Sequence, residues 1–326
     1  MPRALQLSTL VVTSLTLAVC AANPQDPGET LFRLDDEAAF QEGCFPPCLC
    51  PIQEQQPVAG TFVMGPAIIG DVVDFREVFD VNWKVQTDVD PIRITGEGFY
   101  RVTNFGLPVE HALDLDLSID GGEPQYFFSD FVQAAANDGV IDIAVSMNGM
   151  YCHDTVIRVS AAPVPVEEVI PYRLGRGSTY QQDCDDPCDC GLESPLPMRG
   201  RFGLVPIDVL SREREWAVVS LDFFARTHQP ADPITTISGH GFYGLARDSA
   251  GSTQSMQLDL AIGGGELVHF ERELADAEPI SPHISVVLDA HDHPCNPRLT
   301  IEARPVRQLR SDAAEHPETA LTDSPP

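Results

Sequence analysis

The chain has 326 residues, of which 20 are Lys or Arg and 49 are Asp or Glu, giving a formal charge of −29. A field of that sign repels phosphate backbones and anionic headgroups, which excludes nucleic acid and acidic membrane surfaces as partners. Beyond the first 22 residues no stretch is apolar for long enough to span a bilayer.

The start, Met1-Pro2-Arg3, is positive, residues 4–19 are mostly apolar, and Cys20-Ala21-Ala22 precede the polar Asn23. That order reads as a secretory signal over residues 1–22, cleaved after Ala22. Leu17-Ala18-Val19-Cys20 offers a minor alternative, a lipobox with Cys20 acylated, although Val19 stands where such boxes carry Gly, Ala or Ser. The expected localisation is secreted, periplasmic or extracellular.

Residues 23–165 form a first domain. Alternating, β-branched or aromatic character predicts strands over 61–64, 79–86, 92–104, 112–119, 125–129, 141–147 and 155–161. Leu113, Leu115, Leu117 and Ile119 alternate with Asp114, Asp116, Ser118 and Asp120, as in a half-buried antiparallel strand. Asp120-Gly121-Gly122 and Asn148-Gly149 supply hairpin turns, and Gly96 and Gly98 predict a bulge or sharp bend. The joint, residues 163–171, is dense in proline and reads as an extended, semi-rigid spacer. A second domain, residues 166–306, repeats the plan with strands over 201–205, 218–225, 234–245, 255–262, 267–271, 284–288 and 298–303. Residues 307–326 lack periodicity and are expected to be a disordered acidic tail.

The two domains are a tandem duplication. Gly96-Glu97-Gly98-Phe99-Tyr100 returns as Gly239-His240-Gly241-Phe242-Tyr243, and Phe32-Arg33-Leu34 as Tyr172-Arg173-Leu174. A period of roughly 140 residues makes each copy a whole domain with its own core. The expected fold class is all-β: two tandem, internally duplicated antiparallel domains, sandwich or barrel.

The cysteines repeat as well. Cys44, Cys48, Cys50 and Cys152 return as Cys184, Cys188, Cys190 and Cys295. An even set in an exported chain reads as two disulfides per domain. Sequence alone does not separate the pairings; the favoured one links Cys44 with Cys48 and Cys50 with Cys152. A four-thiolate zinc site per copy is the alternative, disfavoured because three cysteines crowd one end. The run Cys44-Phe45-Pro46-Pro47-Cys48-Leu49-Cys50-Pro51 before Gly60-Thr61-Phe62 resembles a group of uncharacterised secreted bacterial proteins with such a cluster ahead of a β-domain. The resemblance implies export and carries no activity with it; copy 2 departs from it at Asp185-Asp186 and Gly191.

Candidate sites are few. Asp289, His291 and His293 are the densest group of metal-ligand types, but a hairpin tip collects such residues for backbone reasons. Asp114, Asp116, Asp120 and Glu123 faintly resemble a calcium loop, yet the intervening leucines make them the solvated face of a strand, leaving at most weak calcium binding. Phe99-Tyr100, Tyr126-Phe127-Phe128 and Phe242-Tyr243 each read as core and surface neighbours before they read as a sugar platform. No Gly-x-Ser-x-Gly occurs. The expectation is therefore an exported protein with no cofactor and no catalytic residues, binding an envelope protein or polysaccharide or acting structurally. Two similar surfaces at a fixed separation would add avidity. The rival is a secreted hydrolase with a carboxylate or metal site in copy 2 or between the domains.

Overall fold

The computed structural model describes residues 28–51, 54–87, 90–103, 108–134, 139–182, 194–207, 214–226, 234–247, 251–276, 283–290 and 297–306. The expected signal and tail lie outside these residues. Copy 1 contains β1 (Thr30–Leu34), β2 (Ala39–Phe45), β3 (Gln56–Met64), β4 (Val73–Val85), β5 (Ile92–Thr103), β6 (Glu110–Ile119), β7 (Gln125–Phe128), β8 (Val132–Gln133), β9 (Ile141–Ser146) and β10 (Cys152–Pro163). Copy 2 contains β11 (Ile170–Leu174), β12 (Thr179–Gln182), β13 (Leu196–Ile207), β14 (Arg214–Ala225), β15 (Thr235–Arg247), β16 (Ser252–Ile262), β17 (Leu267–Asp276), β18 (Ile284–Asp289) and β19 (Pro297–Pro305).

All strand pairing is antiparallel, and each copy closes on itself. In copy 1 the order β10-β2-β3-β4-β5-β6-β7-β9 returns to β10; in copy 2 the order β19-β12-β13-β14-β15-β16-β17-β18 returns to β19. Closure answers the sandwich-or-barrel choice with two barrels, which leave no long open edge. The seam is the weakest pairing in both: Phe128↔Ser146 joins β7 to β9, and Glu271↔Asp289 joins β17 to β18.

Every predicted strand is present. β1 and β2 were not expected; together they fill one strand position between β3 and β10. Their period of two is hidden because Leu31 and Phe32 are both buried, Phe32 inside the barrel and Leu31 in a cluster outside it. β3, expected over 61–64, begins earlier, at Gln56, and shows the same pattern, with an unbroken run of buried residues from Val58 to Met64. A strand covered on both faces reads as a continuous apolar run rather than an alternation. β6 behaves as expected: Leu113, Leu115 and Leu117 are buried while Asp116 is exposed.

The bulge lies across from its expected place. It sits on β4, where the register against β5 shifts between Val78 and Val81 and Asp80 takes a φ of 51°. β14 repeats it between Val218 and Leu221, with Ser220 also at 51°. Gly96 and Gly98 do a different job. A Cβ on either would overlap the backbone carbonyl of Asp116 or Asp114, so glycine allows β5 to press onto β6 where the barrel wall turns.

Each barrel holds its own core. Phe62, Trp83, Ile94, Leu115 and Phe127 anchor copy 1; Phe202, Phe223, Leu258, Phe270 and Ile301 anchor copy 2. His111, on β6, is buried, with Nδ1 2.9 Å from the Tyr100 hydroxyl and no hydrogen-bond partner for Nε2 among the described residues. Burial pulls its imidazole below the ordinary 6.5, and Asp142 opposes that only in part. Below pH 6.5 the unfolded chain therefore takes up a proton that the folded chain refuses, and stability falls from there down to the folded pKa. His111→Gln is expected to flatten that part of the decline in urea midpoints measured across pH. A decline as steep as in the parent would show that His111 does not cause it.

Candidate functional site at the domain junction

The outward face of β3 and of the last residues of β4, from Asn82 on, is largely covered. Leu31, Ala59 and Val63 of copy 1 pack against Val205, Ala217, Val219 and Phe242 of copy 2 in one buried cluster. The linker joins in: Val164 donates its N–H to the Leu31 carbonyl, Val166–Glu168 form a single 3-10 turn, and Val169 is buried. This corrects the expectation of an extended spacer. Pro163, Pro165 and Pro171 punctuate a connection that is itself part of the packed joint.

Polar groups fix the register of the two barrels. Asn82 donates from Nδ2 to the buried Gly241 carbonyl at 2.8 Å. Lys84, the sole lysine of the chain, places Nζ 2.7 Å from Glu215 Oε1, with side-chain exposures of only 14% and 11%. The same ammonium lies 5.8 Å from the centre of the Phe242 ring, within cation–π range. Arg33 reaches across to Glu168 at 2.8 Å and to the Pro206 carbonyl at 3.2 Å. His240 is buried, its Nδ1 3.6 Å from Asp80 Oδ1 on the β4 bulge.

A charged cluster closes one edge of the joint. Arg93 of β5 pairs with Asp259 of β16, and its Nη1 lies 2.7 Å from Nδ1 of His269 on β17. His269 Nδ1 is also 3.0 Å from Asp259 Oδ1, and its Nε2 is 3.5 Å from Glu271 Oε2. Burial lowers the pKa of the Arg93 guanidinium, with Glu271 and Asp120 opposing the shift. A cleft beside the cluster is lined by Tyr180, Gln182, Glu266, Leu267, His269 and Pro297. Carboxylate, imidazole and guanidinium are committed to one another here, which suits an ionic clamp between domains better than a proton shuttle.

Of the residues singled out from sequence, Asp289 accepts from Arg298 Nε at 2.6 Å across the β18–β19 pair. His291 and His293 lie outside the described residues. Among the described residues no group of three His, Cys, Asp or Glu side chains is placed to hold a metal ion. Asp114 is bound by Arg101 at 2.6 Å and by the Tyr126 hydroxyl at 3.0 Å. Asp120 accepts the Arg93 N–H at 2.8 Å, tying the β6–β7 turn back to β5. The aromatic pairs divide unequally between copies. Phe127 is buried and Tyr126 exposed as expected, but Phe242 and Tyr243 are both buried, because Phe242 faces the other barrel.

The cysteines of copy 1 are disulfide-bonded, with one local and one long link but exchanged partners. Cys44 bonds Cys50 and Cys48 bonds Cys152, at Cα separations of 5.2 and 4.9 Å. The pairing follows from the sheet: β10 runs beside β2 with His153 opposite Cys44 and Cys152 opposite Phe45, so Cys152 lies level with the last residue of β2, next to the loop that carries Cys48. Cys184, Cys188, Cys190 and Cys295 lie outside the described residues.

Sequence reasoning missed Asn82, Lys84, Arg93, Glu215, Asp259 and His269. The signal was available in the asymmetry of the repeats, since strand register places Phe224 where copy 1 has Lys84, Thr236 where it has Arg93, and His269 where it has Tyr126. No protein-family model, curated protein or solved structure matches the chain. Among the described residues no helix is long and apolar enough to cross a membrane.

Proposed function

We propose that the chain is an exported, non-enzymatic protein in which two disulfide-bonded β-barrels act as one rigid body, with a binding or structural role at the cell envelope or outside the cell. The observation that supports this most is the buried junction, where the chain's only lysine and an apolar cluster are spent on holding the barrels together. A rigid tandem presents its outer faces without the entropic cost of ordering a hinge on binding. The avidity expected from two like surfaces is reduced, because the barrels dock through different faces. An envelope protein or polysaccharide is the proposed partner, and the acidic field favours one that is cationic or bridged by calcium. Full-length protein used as bait against envelope and culture fractions should recover such a component, more strongly with calcium than without. Recovery of nothing in either condition would remove the binding reading.

A hydrolase is the second reading, and what favours it is His269, paired with Asp259 beside the cleft. An activity that disappears in His269→Ala while the barrels stay folded and joined would put that reading first.

A further inference from the structure

The barrels meet through non-equivalent patches. Register maps Ala59, Asn82, Lys84 and Arg93, the docking residues of copy 1, onto Arg199, Asp222, Phe224 and Thr236 of copy 2. It maps Ala217, Phe242, Asp259 and His269, the docking residues of copy 2, onto Glu77, Phe99, Asp116 and Tyr126 of copy 1. Such a contact is heterologous: each barrel uses one patch and leaves the other uncovered. Phe242 is 4% exposed inside the joint, whereas its counterpart Phe99 is 49% exposed.

The two uncovered patches complement one another. On copy 2, Arg173 stands between Arg201 and Arg304 on the neighbouring strands, and Arg199 is opposite the exposed Phe224. All four arginines are exposed, in a chain where acids outnumber bases 49 to 20. On copy 1, Glu97 is opposite Asp116 and Glu77 opposite Phe99, with the exposed Tyr126 beside Asp116. Asp222, exposed on β14 opposite Arg201, lies within the same face; complementarity with the acidic row is then carried by Arg173, Arg199 and Arg304.

We propose that the chain self-associates head to tail, the basic face of copy 2 in one molecule covering the acidic, aromatic face of copy 1 in the next. This names a second copy of the chain as partner for the structural role proposed above, and it rests on that reading. The net charge of −29 opposes association, but salt screens it beyond about 8 Å at physiological ionic strength, leaving the short-range pairing of the rows to decide. One patch of each kind per molecule gives an open chain or a ring rather than a two-fold dimer.

Sedimentation velocity of the mature protein, residues 23–326, at physiological salt, from micromolar to millimolar, reads this directly. The wild type should grow with concentration past the dimer. Arg173→Glu combined with Arg199→Glu blocks the basic face, and Glu97→Gln combined with Asp116→Asn and Phe99→Ala blocks the acidic one; each alone should need at least about tenfold more protein to associate, a loss of about 1.4 kcal/mol. Mixed together, the two variants retain one working face of each kind and should form dimers that grow no further. A wild type that stays monomeric, or that stops at a two-fold dimer, overturns the proposal, as do blocked variants that associate like the wild type. A monomeric chain that still captures an envelope component would remove self-association and leave the binding reading standing. An activity lost in His269→Ala would displace the non-enzymatic reading, whatever sedimentation shows.

Discussion

Lys84→Ala is expected to uncouple the two barrels. Lys84 Nζ lies 2.7 Å from Glu215 Oε1, and the side chains are 14% and 11% exposed, so truncation leaves a carboxylate in the joint without its counter-ion. Glu215 Oε2 already has no hydrogen-bond partner among the described residues, and removing the ammonium also removes its contact with the Phe242 ring. Breaking one side of a buried pair costs about 3–5 kcal/mol, whereas replacing both sides with apolar groups of similar volume is near neutral. The chain supplies its own reporters: of its two tryptophans, Trp83 sits in the core of copy 1, and Trp216 lies on β14 of copy 2, 5.6 Å from the Tyr243 ring. With Trp83→Phe or Trp216→Phe as background, urea curves of the two barrels should coincide in the parent. They should separate on Lys84→Ala and come together again in Lys84→Met with Glu215→Leu. Curves already separate in the parent would mean that the joint does not couple the barrels.

That experiment probes the part of the molecule the sequence conceals. The interior of each barrel was legible because its residues obey a period of two: Leu113, Leu115 and Leu117 face in while the acids between them face out. The duplication was legible from repeated words such as Gly-x-Gly-Phe-Tyr, and the glycines in them are fixed by the approach of β5 to β6. The joint follows no such rule. Val63 and Phe62 are adjacent and both buried, and only the second barrel explains Val63. Arg93, Asp259 and His269 are as much as 176 residues apart, and no local spacing brings them together. What marked them was a difference between copies at equivalent positions, since a residue that matters for packing one barrel on the other has no reason to recur in both. The disulfides fall between these cases: two links in copy 1 follow from composition, whereas the partners depend on which loop end β10 runs past.

Removing the Cys48–Cys152 link, by Cys48→Ser with Cys152→Ser, should destabilise copy 1 far more than removing Cys44–Cys50 in the same way. The first closes a separation of 104 residues and the second one of 6. In the chain-entropy model the long link restricts the unfolded state by about 4–5 kcal/mol and the short one by about 2 kcal/mol. The long link joins the loop after β2 to the first residue of β10, and those strands are neighbours in the closed barrel. Its loss therefore releases nearly the whole domain from a covalent ring, while the short link constrains only the cysteine-rich loop. Trp83 fluorescence in urea would read both variants, and peptide mapping of the unreduced parent should recover Cys48 joined to Cys152. A map joining Cys50 to Cys152 would reverse the assignment. If the two double variants unfold at the same urea concentration, loop length does not set the stabilisation, and strain or residual structure in the unfolded chain would have to account for it.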